Sequence, residues 1–111
     1  MIDDAVFNEL RVTMGDDFIP ELIAAYLDDT PRLIQDLQQT LAEGNVIAFT
    51  RTAHSIKSSS ASLGALDFSA QAKELEMIGK SGDLSQAAEK VNQLIADYPK
   101  LAEALKDRIK P

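Results

Sequence analysis

His54 is the only histidine in the chain, and a neutral imidazole is a competent nucleophile at physiological pH. Lys57 follows at i+3, which is one turn further along if the segment is helical. A phosphoryl group placed on His54 would bring negative charge, and the Lys57 ammonium is the nearby group able to offset it. Glu76 follows the apolar Leu75 just as His54 follows Ala53, so both lie beside the seam between neighbouring antiparallel helices. A carboxylate accepting a hydrogen bond from Nδ1 would fix the imidazole tautomer and leave Nε2 to attack. The plain alternatives are an exposed histidine beside an exposed lysine, and a solvated glutamate on a helix flank. The spacing alone leaves both open.

The direction of His54 follows from the apolar pattern around it. Phe49, Ala53, Ile56, Ser60 and Leu63 form a stripe that defines the core side of a helix. On a wheel of about 100° per residue, His54 lies about 140° from that stripe, Lys57 about 80°, Ala61 about 120° and Ser58 about 180°. His54 therefore points outward, with small residues beside it. Ser58, Ala61 and Thr50 share its side of the helix and are candidate contacts for a partner.

Other groups offer weaker chemistry. Ser55, Ser58, Ser59, Ser60 and Ser62 crowd the same segment, but no base other than His54 is near them in sequence and no nucleophile elbow is present. They are expected to pack or to be solvated. The pairs Asp3-Asp4, Asp16-Asp17 and Asp28-Asp29 lack calcium-loop spacing and serve better as helix caps or solvated faces. A glycine-rich nucleotide loop is missing, so the chain is not expected to bind ATP, and no cofactor or metal is expected in it.

Helices must position these groups. Asp3 or Asp4 can cap a short first helix bearing Val6, Leu10 and Met14, ended by Gly15. Asp16 or Asp17 can cap a second, with the stripe Phe18, Leu22, Ala25 and Tyr26 and with Pro20 in its first turn. Thr30-Pro31 predicts a kink or a restart, after which Ile34, Leu37 and Leu41 continue the pattern to Gly44. Asn45 can cap the His54 helix, which Gly64 closes. Phe68, Ala72 and Leu75 mark another helix, ending near Gly79. The last begins after Asp83 and carries Leu84, Ala87, Val91, Leu94, Tyr98, Leu101 and Leu105, with a bend predicted at Pro99. Lys106, Arg108 and Lys110 complement its C-terminal dipole. No alternating strand pattern occurs. The expected fold is all-α, an antiparallel four-helix bundle with a short additional N-terminal helix, and one domain over residues 1–111.

Composition agrees. Apolar residues make up 45% and aromatics only 5% of the 111 residues, which suits a single helical core of Leu, Ile, Val and Ala. The balance of 18 acidic against 11 basic side chains gives a net charge of −7, which disfavours nucleic acid and anionic membranes as partners. The chain has no cysteine, hence no disulfide. Its longest apolar run, Leu22 to Leu27, is too short to span a membrane, and no signal-peptide pattern opens it. A cytoplasmic monomer is expected.

The segment Ala53-His54-Ser55-Ile56-Lys57-Ser58-Ser59-Ser60, with Leu63-Gly64-Ala65 and then Leu75-Glu76, resembles the signature of histidine-containing phosphotransfer domains. That family reads Ala-His-x-Leu-Lys-Gly-Ser, then Gly-Ala, then Leu-Glu. The resemblance extends upstream to Gly15-Asp16, Phe18 and Glu21-Leu22 and downstream into the last helix. One departure stands at Ser58, where the family has glycine. The resemblance implies a phosphorelay intermediate that accepts a phosphoryl group on His54 from a receiver-domain aspartate and passes it to another response regulator. Receiver domains of response regulators or hybrid sensor kinases would be the partners, and Mg²⁺ would sit on the receiver. Lys57 would supply counter-charge and Glu76 would reach the histidine. Phe7, Phe18 and Ile19 of the first two helices are candidates for the docking surface; a core role is the alternative for all three.

The same residues admit three other readings. The phosphoacceptor domain of a sensor kinase has an acidic residue after its histidine, where this chain has Ser55, and it pairs two helices with a second copy. The phosphoacceptor module of a chemotaxis-type kinase shares the fold expected here. An inert helical adaptor is the reading from another class.

Overall fold

The computed structural model describes residues 1–109, and Lys110, expected in the C-terminal basic cluster, lies outside the described residues. Helix α1 spans Asp4–Met14, α2 Ile19–Glu43, α3 Val46–Ser62, α4 Leu66–Ser81 and α5 Ala87–Asp107. Helices α2 to α5 close a ring in which α3 lies between α2 and α4, and α5 packs on both α4 and α2. The bundle measures 44 × 20 × 18 Å. Among the described residues all regular structure is helical.

Local chemistry sets several helix ends. Asp3 accepts from the Val6 amide at 2.9 Å, and Asn45 accepts from the Ala48 amide at 3.1 Å. Each satisfies a donor that the first helical turn leaves without an intrahelical partner. At the C-terminal end of α3, Gly64 adopts φ 84, a region that disfavours side chains. A Cβ there would also stand 3.0 Å from the Asp3 carbonyl. The glycine thus lets the N-terminal segment lie on α3, with the Asp3 amide donating to the Gly64 carbonyl at 2.7 Å.

The core runs the length of the bundle. Phe7, Ile23, Leu37, Phe49, Ile56, Leu75, Leu94, Leu101 and Leu105 are its largest fully buried apolar side chains. Each is worth roughly 1.5–3 kcal/mol in transfer from water. Ser60 belongs to this interior too, and its hydroxyl is 2.6 Å from that of Tyr26, which joins α3 to α2. The α4–α5 seam adds the Gln71–Asp97 hydrogen bond and the Lys90–Glu74 ion pair.

The sequence expectations need four corrections. Helix α2 runs without interruption through Pro31, whose ring lies on the exposed side, so Thr30-Pro31 does not restart it. Its buried face is Ile19, Ile23, Tyr26 and Thr30, one residue out of phase with the expected Phe18, Leu22 and Ala25. Neither Asp16 nor Asp17 caps it; Phe18 holds that position with no side-chain bond. The region after Asp83 forms a turn, in which the Asp83 carboxylate accepts from the Ser85 amide, and α5 starts at Ala87. Pro99 lies inside α5, as expected, on its exposed side.

Candidate functional site

The site is built where α3 and α4 lie closest. Gly79 sits in the last turn of α4, which ends near it, at Ser81, as expected. A Cβ at Gly79 would overlap the Thr50 side chain and come within 3.1 Å of the Thr50 Cα. Only glycine permits that approach. Thr50 turns its hydroxyl back to the Val46 carbonyl at 2.8 Å, so its presence in the seam is settled by its own helix. A second tie comes from Ser69 of α4, which donates to the Lys57 carbonyl of α3 at 2.8 Å.

Close approach brings His54 and Glu76 together. The His54 side chain is 56% exposed and that of Glu76 only 6%. His54 Nδ1 lies 2.7 Å from Glu76 Oε2, and Lys57 Nζ lies 2.8 Å from Glu76 Oε1. Lys80, one turn beyond Glu76 on α4, holds its Nζ 3.7 Å from Oε2. The Lys57 hydrogen bond is the main force holding the Glu76 carboxyl down at about 2. Burial opposes this, and the His54 hydrogen bond and the charges of Lys57 and Lys80 reinforce it. An ionised carboxylate can only accept, so Nδ1 carries the proton of the 2.7 Å contact. The lone pair of the neutral ring then belongs to Nε2.

His54, Lys57 and Glu76, picked out in sequence as one constellation, are therefore in mutual contact through the carboxylate. Ser58 is exposed on the same helix, Ala61 is half-buried, and Thr50 lines a groove beside His54 with Val46, Ile47 and Arg51. Of the three docking candidates, Phe18 is 53% exposed. Phe7 and Ile19 are not surface residues: at 0% and 2% exposure they belong to the core, because α1 and α2 turn those positions inward. Sequence reasoning missed Lys80. Its signal was present, since Glu76 and Lys80 are an i, i+4 acid–base pair in the favourable order.

The neighbouring serines have structural work. Ser55, Ser59 and Ser62 donate to the carbonyls of Arg51, Ser55 and Ser59 of their own helix. Asp4 pairs with Arg108, and Asp28 with Arg32. Among the described residues no group of three or more His, Cys, Asp or Glu side chains could hold a metal ion. No helix of the described residues is long and apolar enough to cross a membrane.

A closed ring of helices thus displays one oriented imidazole on its surface, with the Lys57 ammonium on the same carboxylate. The Hpt domain family model matches residues 21–107, and the chain belongs to that family. The crystal structure of histidine-containing phosphotransfer protein B (HptB) from Pseudomonas aeruginosa PAO1 superposes with a TM-score of 0.90 at 28% sequence identity. The match covers 96% of this chain and 92% of that one. A comparison with curated proteins gave no match. Family and fold together make this chain a histidine phosphotransfer intermediate of two-component signalling, and Hpt domains interact with receiver domains.

Proposed function

We propose that His54 is the phosphoryl acceptor, with Nε2 as the attacking atom. The observation that carries this reading is the 2.7 Å contact between Nδ1 and Glu76 on a histidine whose other side faces solvent. Phosphoryl transfer asks mainly for positioning and charge stabilisation. Glu76 fixes the ring, and Lys57, at i+3 from His54 and 2.8 Å from Glu76 Oε1, supplies the counter-charge for the phosphoryl group. The receiver supplies the aspartyl phosphate and its Mg²⁺, so this chain acts as a phosphocarrier without ATP-binding or kinase activity of its own. Ser58, Ala61 and Thr50 flank the approach, with Phe18 further out. We propose that the carrier works as a monomer in the cytoplasm, does not bind nucleic acid, and needs no cofactor.

The test is direct. A receiver charged by a small phosphodonor is mixed with the protein, and label is followed by its acid lability and base stability. His54→Gln should abolish labelling while thermal stability changes little, since the side chain is more than half exposed. Label retained in that variant would place the acceptor elsewhere. A parent that takes no label would leave an inert bundle.

A further inference from the structure

The serines of α3 divide by what their hydroxyls do. Ser55, Ser59 and Ser62 donate to main-chain carbonyls of their own helix, and Ser60 is tied to Tyr26 inside the core. Ser58 is exposed, and its hydroxyl makes no hydrogen bond among the described residues. The uncommitted hydroxyl is also the one best placed towards the acceptor. Around the helix Ser58 stands about 40° from His54, whereas Ser55 stands about 100° away. Residues at i and i+4 are surface neighbours, and the Cα–Cβ bond of Ser58 tilts towards the helix N-terminus, over the turn that bears His54.

Transfer creates an acceptor for that hydroxyl. The Nε2 lone pair forms the N–P bond as the acyl O–P bond breaks, and the bonding electron pair leaves on the receiver's aspartate. Nδ1 keeps its proton on Glu76, and three strongly accepting oxygens now stand over the ring. Lys57 meets them from the α4 side: its Nζ is 2.8 Å from Glu76 Oε1, and an ammonium has further donors to give. Ser58 lies on the other side of His54, about 40° from it against about 60° for Lys57. An oxygen turned away from α4 therefore faces Ser58. Helix α3 carries no acidic residue, so no carboxylate of its own repels the group.

We propose that Ser58 is a phosphoryl-binding residue, whose hydroxyl donates to an oxygen of the phosphoryl group on His54 from the side opposite Lys57. This inference rests on the reading of His54 as acceptor. The bond exists only in the phosphorylated state. It therefore stabilises phosphorylated His54 relative to the receiver's aspartyl phosphate and leaves the resting protein as it is. Ser58 in this way sets how much of the phosphoryl group the carrier retains at equilibrium with a receiver.

The experiment brings the whole chain to equilibrium with a receiver charged by a small phosphodonor. The ratio of phosphohistidine to phosphoaspartate is measured for the parent, Ser58→Ala, Ser58→Thr and Ser55→Ala. Ser58→Ala should shift the ratio towards the receiver roughly three- to tenfold, the effect of one hydrogen bond partly open to water. Ser58→Thr keeps a hydroxyl and should hold the parent ratio. Ser55→Ala should hold it too, because that hydroxyl is already committed to the Arg51 carbonyl. An equilibrium does not depend on how fast the partners dock, so an altered approach cannot imitate the shift. The unfolding midpoint of unphosphorylated Ser58→Ala should not fall, alanine being the better helix former. The parent ratio in Ser58→Ala would overturn the proposal, and so would an equal shift in Ser55→Ala. A parent protein that takes no label would overturn the acceptor reading and this inference with it, whereas a labelled parent with a silent Ser58→Ala overturns the inference alone.

Discussion

Gly79→Ala sets two physical effects against each other at the place where the site is assembled. Alanine is favoured over glycine inside a helix by about 1 kcal/mol. Against this, the new methyl would overlap the Thr50 side chain and stand 2.9 Å from its Cβ and 3.1 Å from its Cα. The nearest of these contacts could be relieved by trimming Thr50, but the last is to backbone, so α3 itself must shift. Overpacking of this kind costs typically 1–3 kcal/mol. The net is a loss of up to about 2 kcal/mol, and each kcal/mol lowers the melting temperature of a domain this size by roughly 4–8 °C. Thr50 lies one turn before His54 and Gly79 nearly one turn after Glu76, so the same shift stretches the 2.7 Å and 2.8 Å contacts of the carboxylate. Thermal unfolding, the imidazole ¹⁵N shifts and the rate of acceptance from a receiver should therefore change together. Thr50→Ala in the same chain should recover only part of the stability. The reasoning is refuted if Gly79→Ala is stabilised by the full helix propensity and transfers at the parent rate.

Three further outcomes are expected. Glu76 has a carboxyl lowered from 4.5 to about 2 in the folded state; its contribution to stability is fully present above pH 4.5 and is lost as pH falls towards 2, so acid unfolding of the parent should be steeper in that window than that of Glu76→Gln. Ser58→Arg should leave the fold intact and block transfer from a receiver, because a long side chain at 58 leans towards the helix N-terminus and over His54; phosphorylation by a small donor such as phosphoramidate should persist, and loss of both reactions would argue against a steric cause. Tyr26→Phe removes the partner of the fully buried Ser60 hydroxyl and should cost about 1–3 kcal/mol in denaturant titration, whereas an unchanged midpoint would mean that Ser60 finds another partner.

The outward aspect of His54 was legible because one stripe dominates α3: Phe49, Ala53, Ile56 and Ser60 are all buried, and no competing stripe exists. Caps at Asp3 and Asn45 were legible because a side chain with the right reach precedes an apolar run. Helix α2 was not. Its apolar run from Leu22 to Leu27 supports two adjacent faces, and the choice between Leu22 with Ala25 and Ile23 with Tyr26 is made by the helices that pack on it. For Phe7 on α1 and Ile19 on α2, the core alternative to a docking role is the one that holds. Pro31 misled because the rule concerns the helix backbone alone, while burial on both sides of it, from Ile23 to Leu37, keeps the helix continuous. Gly79 marks the end of α4 to within two residues, but that it also admits Thr50 of α3 leaves no mark in the sequence. Glu76 was placed beside the seam, but its Lys57 contact depends on how far the helices approach, which no one-dimensional pattern records.

The short first helix has a consequence for how this bundle can be shortened. Residues 21–107 carry the family match, yet Phe7 lies outside that span and is fully buried, with the Arg11 and Arg108 guanidinium groups 5.1 Å and 5.0 Å from its ring centre. Phe7 works as a stopper: α1 is the closure, and the Asp3–Gly64 and Asp4–Arg108 contacts are its two fastenings. A chain cut back to the matched residues would keep His54, Lys57, Glu76 and Lys80 but open a void the size of a phenyl ring at one end of the bundle. Emptying such a site costs about 3–5 kcal/mol, a large share of what a domain of this size has to hold itself together.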